Sequence, residues 1–359
     1  MTSSNRKIGI LGVGFGSAVH IPGFRSEGWE VAAVYSRNEE RARTAAGEND
    51  VADYYTDAYE LINRDDLDAI GIATPPGPHH EFAIAALKGG KHVLCEKPFA
   101  LSAAQAAEMR DVAAETGHTA MVAHEFRHTP QREQIKELLD DGYIGEFKMA
   151  SLELYLSRGG GGTPPPMTWA SRRADGGGFL GALGSHFIDG LRYWFGDVET
   201  VTGRLDTFQP DRTDADTGAV VQSETDDSFT FTLGFKNGGS ATMTCSSAVI
   251  PARGARIAVM GSEGTLFAEQ ASPNPAEDGG ILGSQGGPLE PIETPARLMP
   301  FSDGRDPRLM AFRLLVRDFN RGIEDGVSPT PNFVDAWRCQ QILDAIRESS
   351  DTGRTITIE

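Results

Sequence analysis

Apolar positions in the first third of the chain fall in short blocks separated by stretches of helical period. Ile8, Ile10 and Leu11 form the first block, and Trp29–Tyr35, Asp68–Ile72, His92–Cys95 and Thr119–Ala123 read as further strands. Helices are predicted between them over Glu39–Ala46, His79–Leu87 and Ser102–Thr116. Such alternation with short connections implies an α/β domain, a doubly wound parallel sheet covered on both faces. From His124 onward the pattern changes. Thr129–Leu139 is helical, Glu146–Leu156 alternates as a strand does, and Ser157–Gly178 is a loop by its Gly and Pro content. Phe179–Phe195 follows as a helix with Leu180, Leu183, Phe187 and Leu191 on one stripe. Val198–Leu205, Ser228–Phe235, Ser240–Ser246 and Arg256–Met260 then alternate or run apolar, with Asn237-Gly238-Gly239 as a hairpin turn. This half is an α+β domain with a large, mostly antiparallel open sheet. Asp206–Thr225 and Ala271–Glu293 are polar and turn-rich, hence surface excursions, while Asp306–Arg321 and Asn332–Ser349 are amphipathic helices. The domains expected are residues 1–123 and 124–359.

Composition narrows the partners. A chain of 359 residues can bury two cores. Its formal charge of -18 argues against nucleic acid or an anionic membrane surface, both of which would repel it. Only seven of the 33 basic residues are lysine, against 51 Asp and Glu, an acidic surface suited to concentrated salt and a halophilic habitat. No run of about eighteen apolar residues occurs, and the start MTSSNRK lacks the apolar core of a signal peptide, so a cytoplasmic protein is expected. Cys95, Cys245 and Cys339 are far apart with no C-x-x-C pair, which argues against disulfides and a cysteine zinc site.

Candidate chemistry begins at Lys7–His20, KIGILGVGFGSAVH, which runs strand, turn and helix from about Gly16. The turn reads Gly12-x-Gly14-x-x-Ser17, so a dinucleotide pyrophosphate would meet bare backbone at the positive end of a helix. Gly12 permits the tight turn, Gly14 admits the phosphate, and Ser17 stands where a third small residue lets helix and strand pack. Gly12, Gly14, Phe15, Gly16 and Ser17 are therefore candidate cofactor contacts; the alternative is a glycine-rich turn with no ligand. After the second strand, Ser36 and Arg37 offer a donor and a fixed positive charge where an acidic residue would repel a phosphate, which favours NADP over NAD. Alternatively Arg37 is solvated and Asn38 simply caps the next helix. Thr74-Pro75-Pro76-Gly77-Pro78-His79-His80 forms a stiff loop leading into a helix. Neither its histidines nor His124 and His128 have further ligands at recognisable spacing, so no metal is expected. Lys97, in Cys95-Glu96-Lys97-Pro98, stands at the carboxyl end of a parallel strand, where it would point into the crevice holding the nicotinamide. On the Gly- and Pro-rich loop, Trp169 offers an apolar face to a sugar ring, and Arg158, Arg172 and Arg173 donors to its hydroxyls. That loop is equally suited to be a mobile lid or an oligomer contact. A G-x-S-x-G elbow and a G-x-x-x-x-G-K-[ST] loop are both absent from the sequence.

Taken jointly, Gly12-x-Gly14-x-x-Ser17-x-x-His20, Thr74-Pro75 with His79, Glu96-Lys97-Pro98, Arg127 and Pro130, Gly142-Tyr143-Ile144-Gly145, Gly176-Gly177-Gly178 to His186 and Asp189, and Gly261-Ser262-Glu263-Gly264 resemble the family of glucose-fructose oxidoreductase, inositol dehydrogenase and rhizopine-catabolism proteins. The resemblance implies a Rossmann domain followed by a substrate and oligomerisation domain, a homodimer or homotetramer, and a nicotinamide oxidoreductase of sugars, cyclitols or related polyols. It suggests that the last helix, 332–349, packs back near the first domain. It also implies Lys97 and His186 as catalytic residues, Thr74, Pro75, His79, Glu96, Lys97 and Arg127 near the cofactor, and His124, His186 and Asp189 near the substrate. A neutral imidazole, with an ordinary pKa of about 6.5, can take the hydroxyl proton while a lysine ammonium hydrogen-bonds the same oxygen.

One position departs from the family pattern. The family's aspartate four residues before the histidine, one helical turn away, is Ala182 here. Alanine can neither orient an imidazole nor hold a hydroxyl. Besides a sugar or polyol oxidoreductase, this leaves open a dinucleotide-binding sensor without catalysis, and a glycoside-modifying enzyme working by transient oxidation.

Overall fold

Runs of small and branched apolar residues build the first sheet. The computed structural model describes residues 6–157, 164–270 and 280–358. The chain divides into two units, one of Met1–Glu125 and Asp303–Gln340, the other of Phe126–Ser302 and Gln341–Glu359. In the first, β1 (Lys7–Leu11), β2 (Glu30–Tyr35), β3 (Asp53–Tyr55), β4 (Ala69–Ile72), β5 (His92–Cys95) and β6 (Ala120–Val122) pair in parallel in the order β3-β2-β1-β4-β5-β6. Helices α1 (Ile21–Ser26), α2 (Glu39–Glu48), α3 (Ala58–Ile62), α4 (His79–Lys88) and α5 (Ala103–Thr116) connect them. Asn38, Asp57 and Ser102 cap α2, α3 and α5 by accepting from Arg41 N, Tyr59 N and Gln105 N. Leu61, Phe82, Leu87 and Met109 cover one face of the sheet, and Val19, Ile21 and Phe24 the other. β3 and α3 lie outside the predicted elements: β3 is a short edge strand with Asp53 and Tyr54 exposed, so its sequence does not alternate. The strand order reverses direction at β1 and β4, and a doubly wound sheet binds ligands beyond the carboxyl ends of the strands at that point.

The second unit contains α6 (Pro130–Asp140) and α7 (Ser185–Phe195). Its strands are β7 (Phe147–Tyr155), β8 (Val198–Asp206), β9 (Asp211–Thr213), β10 (Val220–Gln222), β11 (Ser228–Phe235), β12 (Ser240–Ser246), β13 (Gly254–Gly261), β14 (Thr265–Gln270), β15 (Ile281–Ser284), β16 (Glu290–Ile292) and β17 (Ile356–Thr357). Among the described residues, nine of them form one sheet in the order β16-β15-β14-β13-β7-β12-β11-β8-β17. Its pairings are antiparallel except β7 with β12. Every second side chain of the central strands is buried, as in Leu152 and Leu154, Phe229, Phe231 and Leu233, and Ile257 and Val259. Phe195 of α7 lies flat on Phe147, with ring centroids 3.7 Å apart.

Both predicted surface excursions contain strands. β15 and β16, within Ala271–Glu293, extend the large sheet, and residues 271–279 lie outside the described residues. Glycines and prolines conceal these edge strands, since pairing on the outer rows needs little apolar alternation. Within Asp206–Thr225, β9 and β10 form a hairpin that clips the Gly- and Pro-rich loop. Thr213 N donates to Pro165 O at 2.8 Å, Met167 N to Thr213 O at 2.8 Å, and Thr225 Oγ1 to Ala170 O at 2.9 Å.

Of the last two helices, α8 (Leu309–Asp325) clusters with the first unit and α9 (Phe333–Thr352) is divided between the two. Leu309, Phe312, Leu315, Val316 and Phe319 of α8 join the core around Phe24 and Val19 in the first unit. Phe333 and Ala336 of α9 lie in that unit's other cluster. From Gln341 on, α9 belongs to the second unit, where Ser349 Oγ accepts from Gly203 N at 2.9 Å. No helix of the described residues is long and apolar enough to cross a membrane.

Candidate functional site

Four backbone hydrogen bonds run in a row along the carboxyl edge of the parallel sheet. Gly12 N donates to Tyr35 O at 2.9 Å, Ala73 N to Leu11 O at 2.7 Å, Glu96 N to Ile72 O at 2.8 Å, and Ala123 N to Cys95 O at 2.8 Å. The next residues after three of these donors, Thr74, Lys97 and His124, therefore open the loops along one edge. Gly12 has φ +106°, and a Cβ there would stand 2.4 Å from Ala73 O, so only glycine fits without strain. At Gly14 an added Cβ meets nothing within 4 Å, leaving the backbone open to a ligand.

A close helix–strand contact falls one residue before Ser17. At Gly16 a Cβ would lie 3.0 Å from Ile10 Cγ2. Gly16 opens the wide π-type turn Gly16–His20, closed by Ile21 N donating to Gly16 O, five residues back. Ser17 Oγ and Thr74 Oγ1 are buried without a hydrogen-bond partner among the described residues. Unsatisfied hydroxyls beside an open glycine backbone fit a dinucleotide phosphate and ribose. Phe15 is half-buried, with its ring edge-on to His20. Ser36 Oγ accepts from Asn38 N at 3.3 Å, and Arg37 is exposed.

The proline loop is fastened from within. His79 is buried, and its Nε2 lies 2.9 Å from Thr74 O. A carbonyl only accepts, so Nε2 carries the proton. Desolvation lowers the His79 pKa and keeps the ring neutral. Pro75 is half-buried beside it.

Around Lys97, itself half-buried, stands a cluster of buried titratable groups. Glu96 Oε1 is 3.0 Å from His20 Nε2, and its Oε2 accepts from Lys97 N at 3.3 Å. Glu125, 2% exposed, has Oε2 without a partner among the described residues. Burial first, and then the Glu96 charge, push its carboxyl up to about 8, against the pull of Lys97 and Arg308. His124 is buried at the same edge. Among the described residues no group of three or more His, Cys, Asp or Glu is arranged to hold a metal ion.

In the second unit, His186 is buried near the start of α7. Its ring lies flat on Phe126, with centroids 3.8 Å apart and planes 10° from parallel. Arg127, expected near the nicotinamide, and Asp189, expected near the substrate, are bound to each other. Arg127 Nε and Nη2 donate to Asp189 Oδ2 and Oδ1, both at 2.7 Å, with the side chains 4% and 1% exposed. Arg127 also lies 4.7 Å from the centre of the Tyr193 ring, whose hydroxyl is pushed up to about 12 by burial and by Glu133. This pair fixes α7 to the turn Glu125–His128. Ala182 sits in a second π-type turn, Leu180–Gly184, where Ser185 N donates to Leu180 O. The four-residue spacing to His186 is therefore not a plain α-helical turn. Trp169 is half-buried in a short turn Trp169–Ser171, while Arg172 is exposed, 4.0 Å from Asp175; Arg158 lies outside the described residues.

Comparison with known proteins matches both halves of this architecture. Residues 6–124 match the oxidoreductase family with the NAD-binding Rossmann fold, and residues 133–267 match the GFO/IDH/MocA C-terminal domain. The chain belongs to the GFO/IDH/MocA oxidoreductase family. Among its relatives, levoglucosan dehydrogenase of Pseudarthrobacter phenanthrenivorans is 27% identical, over 96% of this chain and 96% of that protein. A crystal structure of an oxidoreductase domain protein from Kribbella flavida superposes with a TM-score of 0.89 at 26% identity, covering 99% of this chain and all of that one. Levoglucosan dehydrogenase in complex with NADH and levoglucosan shares the fold, with a TM-score of 0.89 at 23% identity over 99% of this chain and 100% of that one.

This GFO/IDH/MocA member is thus an NAD-binding oxidoreductase of the class acting on CH–OH groups. Three of its features escape sequence reasoning: the carboxyl of Glu125, the His20–Glu96 pair, and the ring of Phe126 under His186. Glu125 had a signal, since it follows a parallel strand closely, as Lys97 does. The other two are meetings of distant residues and left none.

Proposed function

We propose that this protein transfers hydride between NADP and a carbon bearing hydroxyl or carbonyl in a sugar, cyclitol or related polyol, with Lys97 and His186 serving that carbon's oxygen. The observation that carries the reading is the edge of the parallel sheet, where the open turn at Gly14, the unsatisfied Thr74 hydroxyl and the Lys97 loop follow one another. Gly12, Gly14, Ser17 and Thr74 would hold the dinucleotide, and nicotinamide supplies a hydride acceptor. Lys97 donates to the substrate oxygen and stabilises the developing alkoxide, while His186 takes the hydroxyl proton and returns it in reduction. Similarity to levoglucosan dehydrogenase supports a carbohydrate. Exposed Arg37 after β2 supports NADP, with NAD as the competitor because a fold relative is known with NADH.

The test is nicotinamide absorbance with NADP+ and NAD+ over a panel of glucose, myo-inositol and levoglucosan, using Lys97→Ala and His186→Ala as controls. Turnover that either control leaves intact would refute that residue's role. Tight binding of NADP+ with no turnover of any sugar would favour a sensor. Arg37→Ala is expected to lower the preference for NADP+ about tenfold or more, the worth of one charged hydrogen bond; an unchanged ratio would remove Arg37 from the cofactor site.

A further inference from the structure

We infer that Phe126 is a positioning residue for His186, and that Arg132 holds Phe126 in place. The inference rests on the proposed role of His186 in proton transfer. An imidazole that must present one nitrogen to a fixed oxygen has a soft rotation about its outer side-chain bond. Phe126 opposes that rotation: the two rings are parallel within 10° at 3.8 Å, so turning the imidazole drives its edge into the phenyl face. Phe126 is itself clamped. The Arg132 guanidinium lies 4.7 Å from its ring centre and 4.4 Å from that of Phe187, the residue after His186 on α7. The Arg132 carbonyl accepts from Trp194 Nε1, also on α7, at 3.2 Å. Arg132 is 4% exposed, so both cation–ring contacts are made away from water, where they are strongest.

The result is a column that leaves α7 at Phe187, passes through Arg132 and Phe126, and returns to α7 at His186. The charges beside it include the Arg132 cation on α6 and, one turn beyond His186, Asp189 bound to Arg127. Phe126 thus gives the imidazole a flat apolar bed, in a chain that has Ala182 in place of the family's aspartate.

The experiment compares the full chain with Phe126→Leu, which keeps apolar volume but has no flat face, and Phe126→Tyr, which keeps the face. With levoglucosan and NADP+, Phe126→Leu is expected to lower kcat about ten- to a hundredfold, as for a catalytic group slightly out of place, with KM and NADP+ affinity nearly unchanged and the thermal midpoint lowered by only a few degrees. Phe126→Tyr should restore most of kcat. A second readout needs no turnover: the imidazole signals of His186 in NMR, identified by their loss in His186→Ala, should lose their ring-current shift in Phe126→Leu and keep it in Phe126→Tyr. Wild-type kcat in Phe126→Leu, equal loss in both variants, or an unmoved imidazole signal overturns the inference. Unchanged turnover in His186→Ala would instead refute the catalytic reading itself, leaving the stacking measurement to stand alone.

Discussion

Replacing Glu125 with Gln should abolish a large pH dependence of stability while leaving the side chain's shape intact. The Glu125 carboxyl is fully buried and its proton is held up to about 8, against an ordinary value of 4.5. In the unfolded chain it ionises near the ordinary value, so between these two pH values the folded state binds the extra proton. Stability then falls as pH rises, by about 1.4 kcal/mol for each pH unit while the difference is complete. Across the whole window the loss is on the order of 3–5 kcal/mol, a large part of a typical domain's stability. The causes, in order, are burial and the Glu96 charge, with Lys97 and Arg308 opposing. Urea unfolding of parent and Glu125→Gln, measured from about pH 5 to about pH 9, reads this carboxyl together with its effect on neighbouring titrations, because a constant offset from the new amide cancels in the slope. The parent should lose stability relative to the variant through this range and level off above it. Parallel curves would refute the reasoning, because the carboxyl would then ionise alike in the folded and unfolded chain.

Asp189→Asn leaves the Arg127 guanidinium buried opposite a neutral amide and is expected to cost about 3–5 kcal/mol in chemical denaturation; the double change Arg127→Met with Asp189→Leu should recover much of it, and no recovery would show that the cost does not come from an uncompensated Arg127 charge. Gly12→Ala sets a methyl 2.4 Å from Ala73 O in a left-handed backbone, so a loss of at least about 2 kcal/mol and of NADP+ binding by calorimetry is expected, whereas normal binding would place the dinucleotide elsewhere. With a net charge of -18, the denaturant midpoint should rise between about 0.1 M and about 1 M KCl, as the screening length falls from roughly 10 to 3 Å; a flat or falling midpoint would end the halophile expectation.

Apolar periodicity alone determined that parallel strands alternate with helices before His124 and that alternating strands make an open sheet after it, because burial on two faces or one writes itself into consecutive residues. The glycine turn and Lys97 were likewise legible, since both depend on residue type at a strand's carboxyl end. Local sequence did not disclose the π-type turn Gly16–His20 or the close approach of Gly16 to Ile10, because both depend on how the helix start meets β1. Nor did it assign α8 to the first unit, because an amphipathic stripe specifies that a face is covered without saying by what. The engagement of Arg127 by Asp189, the high proton affinity of Glu125 and the flat bed beneath His186 were decided by tertiary structure alone. Each arises from desolvation and contact between segments that only folding brings together, and no single stretch of chain encodes those quantities.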